Sequence, residues 1–64
     1  MCLSTVYLFD GEDRVKLAEN IGGVKVDGNR VILTDLLGIR TAVPGVIEKI
    51  DLMENYIVLK KPAP

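Results

Sequence analysis

Histidine and tryptophan are absent from this 64-residue chain, and cysteine occurs once, at position 2. Each absence closes a route. Without histidine, the Ser-His-Asp and Cys-His nucleophile arrangements cannot be built, and Ser4, Thr5, Thr34 and Thr41 have no imidazole base. A lone cysteine forms no internal disulfide, which removes the usual staple of a small domain. An intermolecular Cys2–Cys2 bridge is disfavoured in a reducing cytosol.

Charge of one sign is lacking too. Nine acids against eight bases leave a net charge of −1, with no basic stripe of the kind nucleic-acid binders carry. Only three aromatics are present, Tyr7, Phe9 and Tyr56, and Lys60 and Lys61 are too few to make a positive groove, which argues against a nucleic-acid partner. No apolar run approaches the ~18 residues of a membrane span. The first residues read as a strand and not as a signal peptide, so a cytoplasmic location without membrane contact is expected. No glycine loop has phosphate-binding spacing.

What is present is strand-forming. Eight Val, six Ile and three Thr stand against three Ala, and β-branched side chains suit a pleated surface better than a helix. Leu3 to Phe9 reads as a first strand, ended by the turn cluster Asp10-Gly11-Glu12-Asp13. Val15 to Ile21 reads as a second strand, with Gly22-Gly23 as a joint or bulge. Val24 to Val26 and Arg30 to Leu33 flank Asp27-Gly28-Asn29 as a hairpin. Thr34 to Gly38 reads as a turn closed by Gly38.

The last third admits two readings. Val46, Ile50, Met53 and Ile57 recur at helical spacing, yet the segment begins after Pro44-Gly45 and is β-branched at both ends. Two strands, Val46–Ile50 and Tyr56–Leu59, are preferred. The expected fold is therefore all-β, a small five- to six-stranded barrel-like or strongly twisted antiparallel sheet. One domain spans residues 1–61, followed by a short Pro-containing tail at 62–64. A chain this small has little interior, and its 48% hydrophobic content leaves apolar surface for a partner. A symmetric homodimer is the simplest cover.

Candidate chemistry is sparse. Asp10, Glu12 and Asp13 lack calcium-loop spacing and read as a solvated turn, and Asp51 and Glu54 read as turn borders. Cys2 differs because of its neighbours. A free cysteine is commonly a small packing residue. Its thiolate is also a soft ligand for late transition metals, and terminal nitrogens lie beside it. With Met1 removed, the Cys2 α-amine (reference pKa about 7.7–8.0) closes a five-membered chelate with the thiolate. With Met1 retained, the Cys2 amide nitrogen and the Met1 amine are the neighbouring donors. One chain offers too few donors for tetrahedral zinc. Two chains supply a planar N,S set that favours Ni(II) or Cu(II).

Three motifs in order, "MCLSTVY", "VILTDLLG" and "IDLMENYIVL", resemble the CooT family of small accessory proteins linked to nickel insertion into carbon monoxide dehydrogenase. The resemblance implies a β-rich homodimer whose nickel ligand is the cysteine after the initiator Met, here Cys2. It implies scaffold and interface roles for Asp35, Leu36, Leu37 and Gly38 and for Asp51 to Leu59. The hydrogenase chaperones of the HypC type also begin Met-Cys, but their proline-glycine motif is missing here. The expectation is a metallochaperone, not an enzyme, that holds Ni(II) through Cys2 at a homodimer interface. Its cargo would pass to a nickel enzyme such as carbon monoxide dehydrogenase or to its maturation factors. The alternative is a small RNA-binding module, marked by salt-sensitive affinity and indifferent to Cys2.

Overall fold

Alternation of β-branched residues builds six strands in the computed structural model, which describes residues 3–62. They are β1 (Ser4–Phe9), β2 (Arg14–Asp27), β3 (Arg30–Asp35), β4 (Arg40–Pro44), β5 (Val46–Asp51) and β6 (Tyr56–Lys60). They form one sheet in the order β4-β3-β2-β1-β6-β5. The last third is strand-turn-strand, as preferred over the helix. No helix of the described residues is long and apolar enough to cross a membrane.

The sheet is mixed, which corrects the antiparallel expectation. β1 and β6 run parallel, from Thr5 opposite Tyr56 to Phe9 opposite Lys60. Parallel neighbours require a long crossover, and here nearly the whole chain intervenes between them. The glycine pair Gly22-Gly23 does not divide two strands. β2 continues through it, with Gly22 as the extra residue of a bulge against β3. Against β1 the same strand shifts register twice more, around Leu17 and again before Ile21, where Asn20 adopts a φ of 58°. Each bulge bends the strand and increases its twist. β2 can thereby pair with β1 along its first half and β3 along its second.

Nor is the sheet a closed barrel. β4 and β5 occupy its two edges, and no ladder joins them among the described residues. A flat six-stranded sheet would separate those edges by ~24 Å, at about 4.8 Å per strand step. Yet only Gly45 lies between β4 and β5, so the sheet must roll until its edges meet at that corner. Gly45 is buried there, and its amide donates to the Asn29 carbonyl at 2.9 Å. A Cβ on it would stand 3.2 Å from the Lys60 carbonyl oxygen. Backbone meets backbone at this corner, and a methyl there requires the Lys60 carbonyl to give by a few tenths of an ångström.

Rolling creates the interior. Val6, Ile21, Val31, Leu33, Ile57 and Leu59 form the buried core, with Leu8, Ala18, Val24, Val43 and Ile47 packed against it. Each such aliphatic side chain contributes ~1.5–3 kcal/mol when fully withdrawn from water. The expected hairpin at Asp27 is present as a two-residue connection. Gly28 carries the positive φ, 61°, that a tight hairpin turn needs at its first central position. Arg30 clasps the turn by donating from Nε and Nη2 to Asp27 Oδ2 at 3.1 and 2.9 Å.

Candidate metal site and the turns around it

Cys2, the one residue the sequence nominates as a metal ligand, lies outside the described residues. The chain leading from it is well placed. Leu3 packs its Cδ2 against the bulge, 3.5 Å from the position a Cβ on Gly22 would occupy. β1 then enters the sheet with both sides held. Ser4 stands opposite Ile21 of β2, and the Thr5 amide donates to the Asn55 carbonyl at 3.1 Å.

Register extends this anchor into one row across the sheet. Asp35 pairs with Ile21 and Ile21 with Ser4, while Thr5 pairs with Tyr56 and Tyr56 with Asp51. An aspartate therefore ends a strand on each side of the start of β1. Each aspartate folds the chain that follows it. Asp35 Oδ1 accepts from the amides of Leu37 and Ile39, both at 2.9 Å, and Gly38 takes a φ of 85°. Asp51 Oδ1 accepts from the amides of Met53 and Glu54 at 3.0 and 2.8 Å, and Asn55 takes a φ of 59°. The Leu36 amide is held by the Asn20 carbonyl at 2.9 Å.

These turns display apolar side chains to solvent. Leu36 is 65% exposed, Leu37 80%, Leu52 82% and Met53 91%. Ile39 and Leu17 are exposed beside a hollow of about 130 Å³ that Ile21, Leu33 and Val43 also line. None of the four turn residues serves the chain's own core.

Carboxylates contribute no cation site of their own. No group of three His, Cys, Asp or Glu suited to a metal occurs among the described residues. Asp35 and Asp51 spend an oxygen on backbone amides. Asp10 does the same, accepting from Glu12 and Asp13 at 2.9 Å each. The Asp13 amide, and after it that of Glu12, holds the Asp10 carboxyl below its ordinary pKa. The acidic cluster at 10–13 is thus a solvated turn, as its spacing indicated.

The parallel pairing of β1 and β6 brings two of the three aromatics together. The Tyr7 and Tyr56 rings meet edge to face at 6.1 Å. No local spacing links positions 7 and 56, so only the fold could reveal the pair.

The arrangement defines a class first: a small all-β domain, a rolled mixed sheet whose N-terminal strand is flanked by apolar turns. The chain belongs to the CooT family, since the model described as CO dehydrogenase accessory protein CooT matches residues 1–60. A crystal structure assigned to CooT from Carboxydothermus hydrogenoformans shares the fold. It aligns with a TM-score of 0.86 over 97% of this chain and 100% of that one, at 16% identity. No protein of curated function matches the chain.

Proposed function

We propose that this CooT-family chain is a cytoplasmic homodimer that holds Ni(II) through the two Cys2 thiolates and passes it to carbon monoxide dehydrogenase or its maturation factors. It acts as an accessory protein and not as a catalyst. The observation that carries the proposal is the row Asp35–Ile21–Ser4 and Thr5–Tyr56–Asp51, which sets two exposed apolar turns on either side of the strand that begins at Ser4. Exposed leucines of this density call for a cover, and a second copy related by a two-fold axis is the most economical one. Such a cover brings two N-terminal segments, each with its Cys2, to one interface.

The chemistry suits delivery. Two thiolates with adjacent nitrogens form an N,S donor set that favours Ni(II) over the harder cations. Ligands near a chain end can open at small structural cost, which cargo release requires. Binding needs deprotonated sulfur and nitrogen, so acid ejects the metal.

The test is a Ni(II) titration of the reduced, untagged protein and of Cys2→Ser, followed by sulfur-to-nickel charge transfer and by binding heat. Saturation near half an equivalent per chain, lost in the variant, is the expected result. Equal binding by the variant would return Cys2 to a packing role.

A further inference from the structure

The outer face of the sheet carries a second feature, independent of nickel. Across β2, β1, β6 and β5, register places Arg14 beside Phe9, Lys16 beside Tyr7, Lys49 beside Val58 and Phe9 beside Lys60. All three aromatics and four of the eight cations therefore share one face. At its centre, the Arg14 guanidinium lies 5.7 Å and the Lys49 ammonium 5.3 Å from the Tyr56 ring centroid, with the Tyr7 ring set nearly perpendicular to it. Beneath them Val58 is 1% exposed although it stands outside the aliphatic core. The rings and the stems of the basic side chains supply its cover.

Arg14 and Lys49 at this centre stand outside any ion pair among the described residues, although the Tyr56 hydroxyl and the Asp51 charge both act on Lys49. Lys16 pairs with Glu19 at 3.7 Å. The carboxylate nearest in register, Asp51, already accepts two backbone amides. At the rim, Glu48 and Asp10 share a hollow with Phe9, Lys60 and Lys61, while two cations and the single carboxylate of Asp51 stand around Tyr56. The Tyr56 hydroxyl, accepting from the ammonium, holds the Lys49 pKa above its ordinary value, and the ammonium stays charged at neutral pH.

We propose that the face centred on Tyr7, Arg14, Lys49 and Tyr56 docks an acidic segment of a partner protein. Tyrosine and arginine together are the composition of protein-interface anchors. Free cations beside phenol hydroxyls recognise carboxylates by charge and hydrogen bonding. Single-stranded nucleic acid fits less well. Base stacking needs an open ring plate, and two cations already lie over the Tyr56 ring.

The test uses the full chain and a fluorescein-labelled deca-glutamate peptide, read by fluorescence anisotropy and by amide shifts in NMR spectra. Binding should weaken with salt, and shifts should centre on Tyr7, Lys16, Lys49 and Val58. Arg14→Glu/Lys49→Glu should lose about tenfold or more in affinity, the loss of two charge pairs. Lys25→Glu, a reversal away from the patch, should bind nearly as the wild type, and circular dichroism establishes that both variants fold. Absence of binding, equal loss in Lys25→Glu, or tighter binding of a U10 RNA would each overturn the proposal. Dissociation of a dimer by the double variant, with peptide affinity unchanged, would overturn it too, by assigning the face to a second copy. None of these readouts involves nickel, so absence of peptide binding leaves the Cys2 proposal standing, whereas dissociation of a dimer by the double variant would move the interface away from the apolar turns.

Discussion

Three turns in this molecule use one backbone device and show solvent different chemistry, while a fourth, at Asp27, is clasped by the Arg30 side chain instead. At Asp10, as at Asp51, a carboxylate oxygen accepts the amides two and three residues on, and Asp35 does the same for the amides two and four residues on. The Asp10 turn carries Gly11, Glu12 and Asp13, and the Asp27 turn carries Gly28 and Asn29. Those are residues a solvated turn favours. The Asp35 and Asp51 turns carry Leu36-Leu37 and Leu52-Met53 instead, all largely exposed. Since the polar Asp10 turn folds by the same kind of hydrogen bonds, the apolar tips are not needed to make a turn. They add nothing to the chain's own core, and both turns start from the row that holds the start of β1.

The largest expected effect breaks that contrast directly. Replacing Leu36, Leu37, Leu52 and Met53 by Ser should weaken self-association about a hundredfold or more, because each large apolar side chain buried at an interface contributes ~1.5–3 kcal/mol. Sedimentation velocity measures it, and an unchanged far-ultraviolet dichroism spectrum shows that the turns still form. Glu12→Ser/Asp13→Ser at the polar turn should leave the association state untouched.

A smaller effect concerns the corner that has no aspartate. Gly45→Ala should cost ~1–3 kcal/mol of stability, the usual range for forcing a methyl into a packed site. Denaturant unfolding would show it as a lowered midpoint at constant slope. An unchanged midpoint would mean that the Lys60 carbonyl yields without cost. Next comes Asp35→Ala, which strips two amides of their acceptor and should cost about 1–2 kcal/mol.

The smallest effect is electrostatic and sets the polar turn apart. Amide hydrogen bonds lower the Asp10 pKa in the folded chain. Its carboxylate therefore stabilises the fold above the unfolded value near 3.9, and that contribution is lost as pH falls through the lower folded value. Asp10→Asn should melt slightly below the wild type at pH 7. The difference should close once the pH drops below the folded pKa. A constant difference across that range would assign the effect to packing.

Most strands were legible because their signals are local. The hairpin at Asp27–Arg30 and the pair β5–β6 each join neighbours in sequence, with turn residues between β-branched runs. The pairing of β1 with β6 was not legible, since no local pattern encodes a contact between Thr5 and Tyr56. The mixed sheet, its roll at Gly45 and the Tyr7–Tyr56 cluster all follow from that one pairing. Gly22 was flagged correctly as a special position, yet its flanks are one bent strand and not two. Cys2 is nominated by residue type and by family resemblance, and it lies outside the described residues. The structure adds where Leu3, Ser4 and Thr5 are anchored, and which turns share the row of Ser4 and Thr5.

The nickel stoichiometry of the Leu36/Leu37/Leu52/Met53→Ser variant joins the two halves of the account, because that variant keeps Cys2 and removes the apolar tips. If the tips bring two Cys2 residues to one metal, the half-equivalent endpoint and its thiolate-to-nickel band should both be lost. An unchanged endpoint at half an equivalent, with full band intensity, would contradict the shared site at this surface.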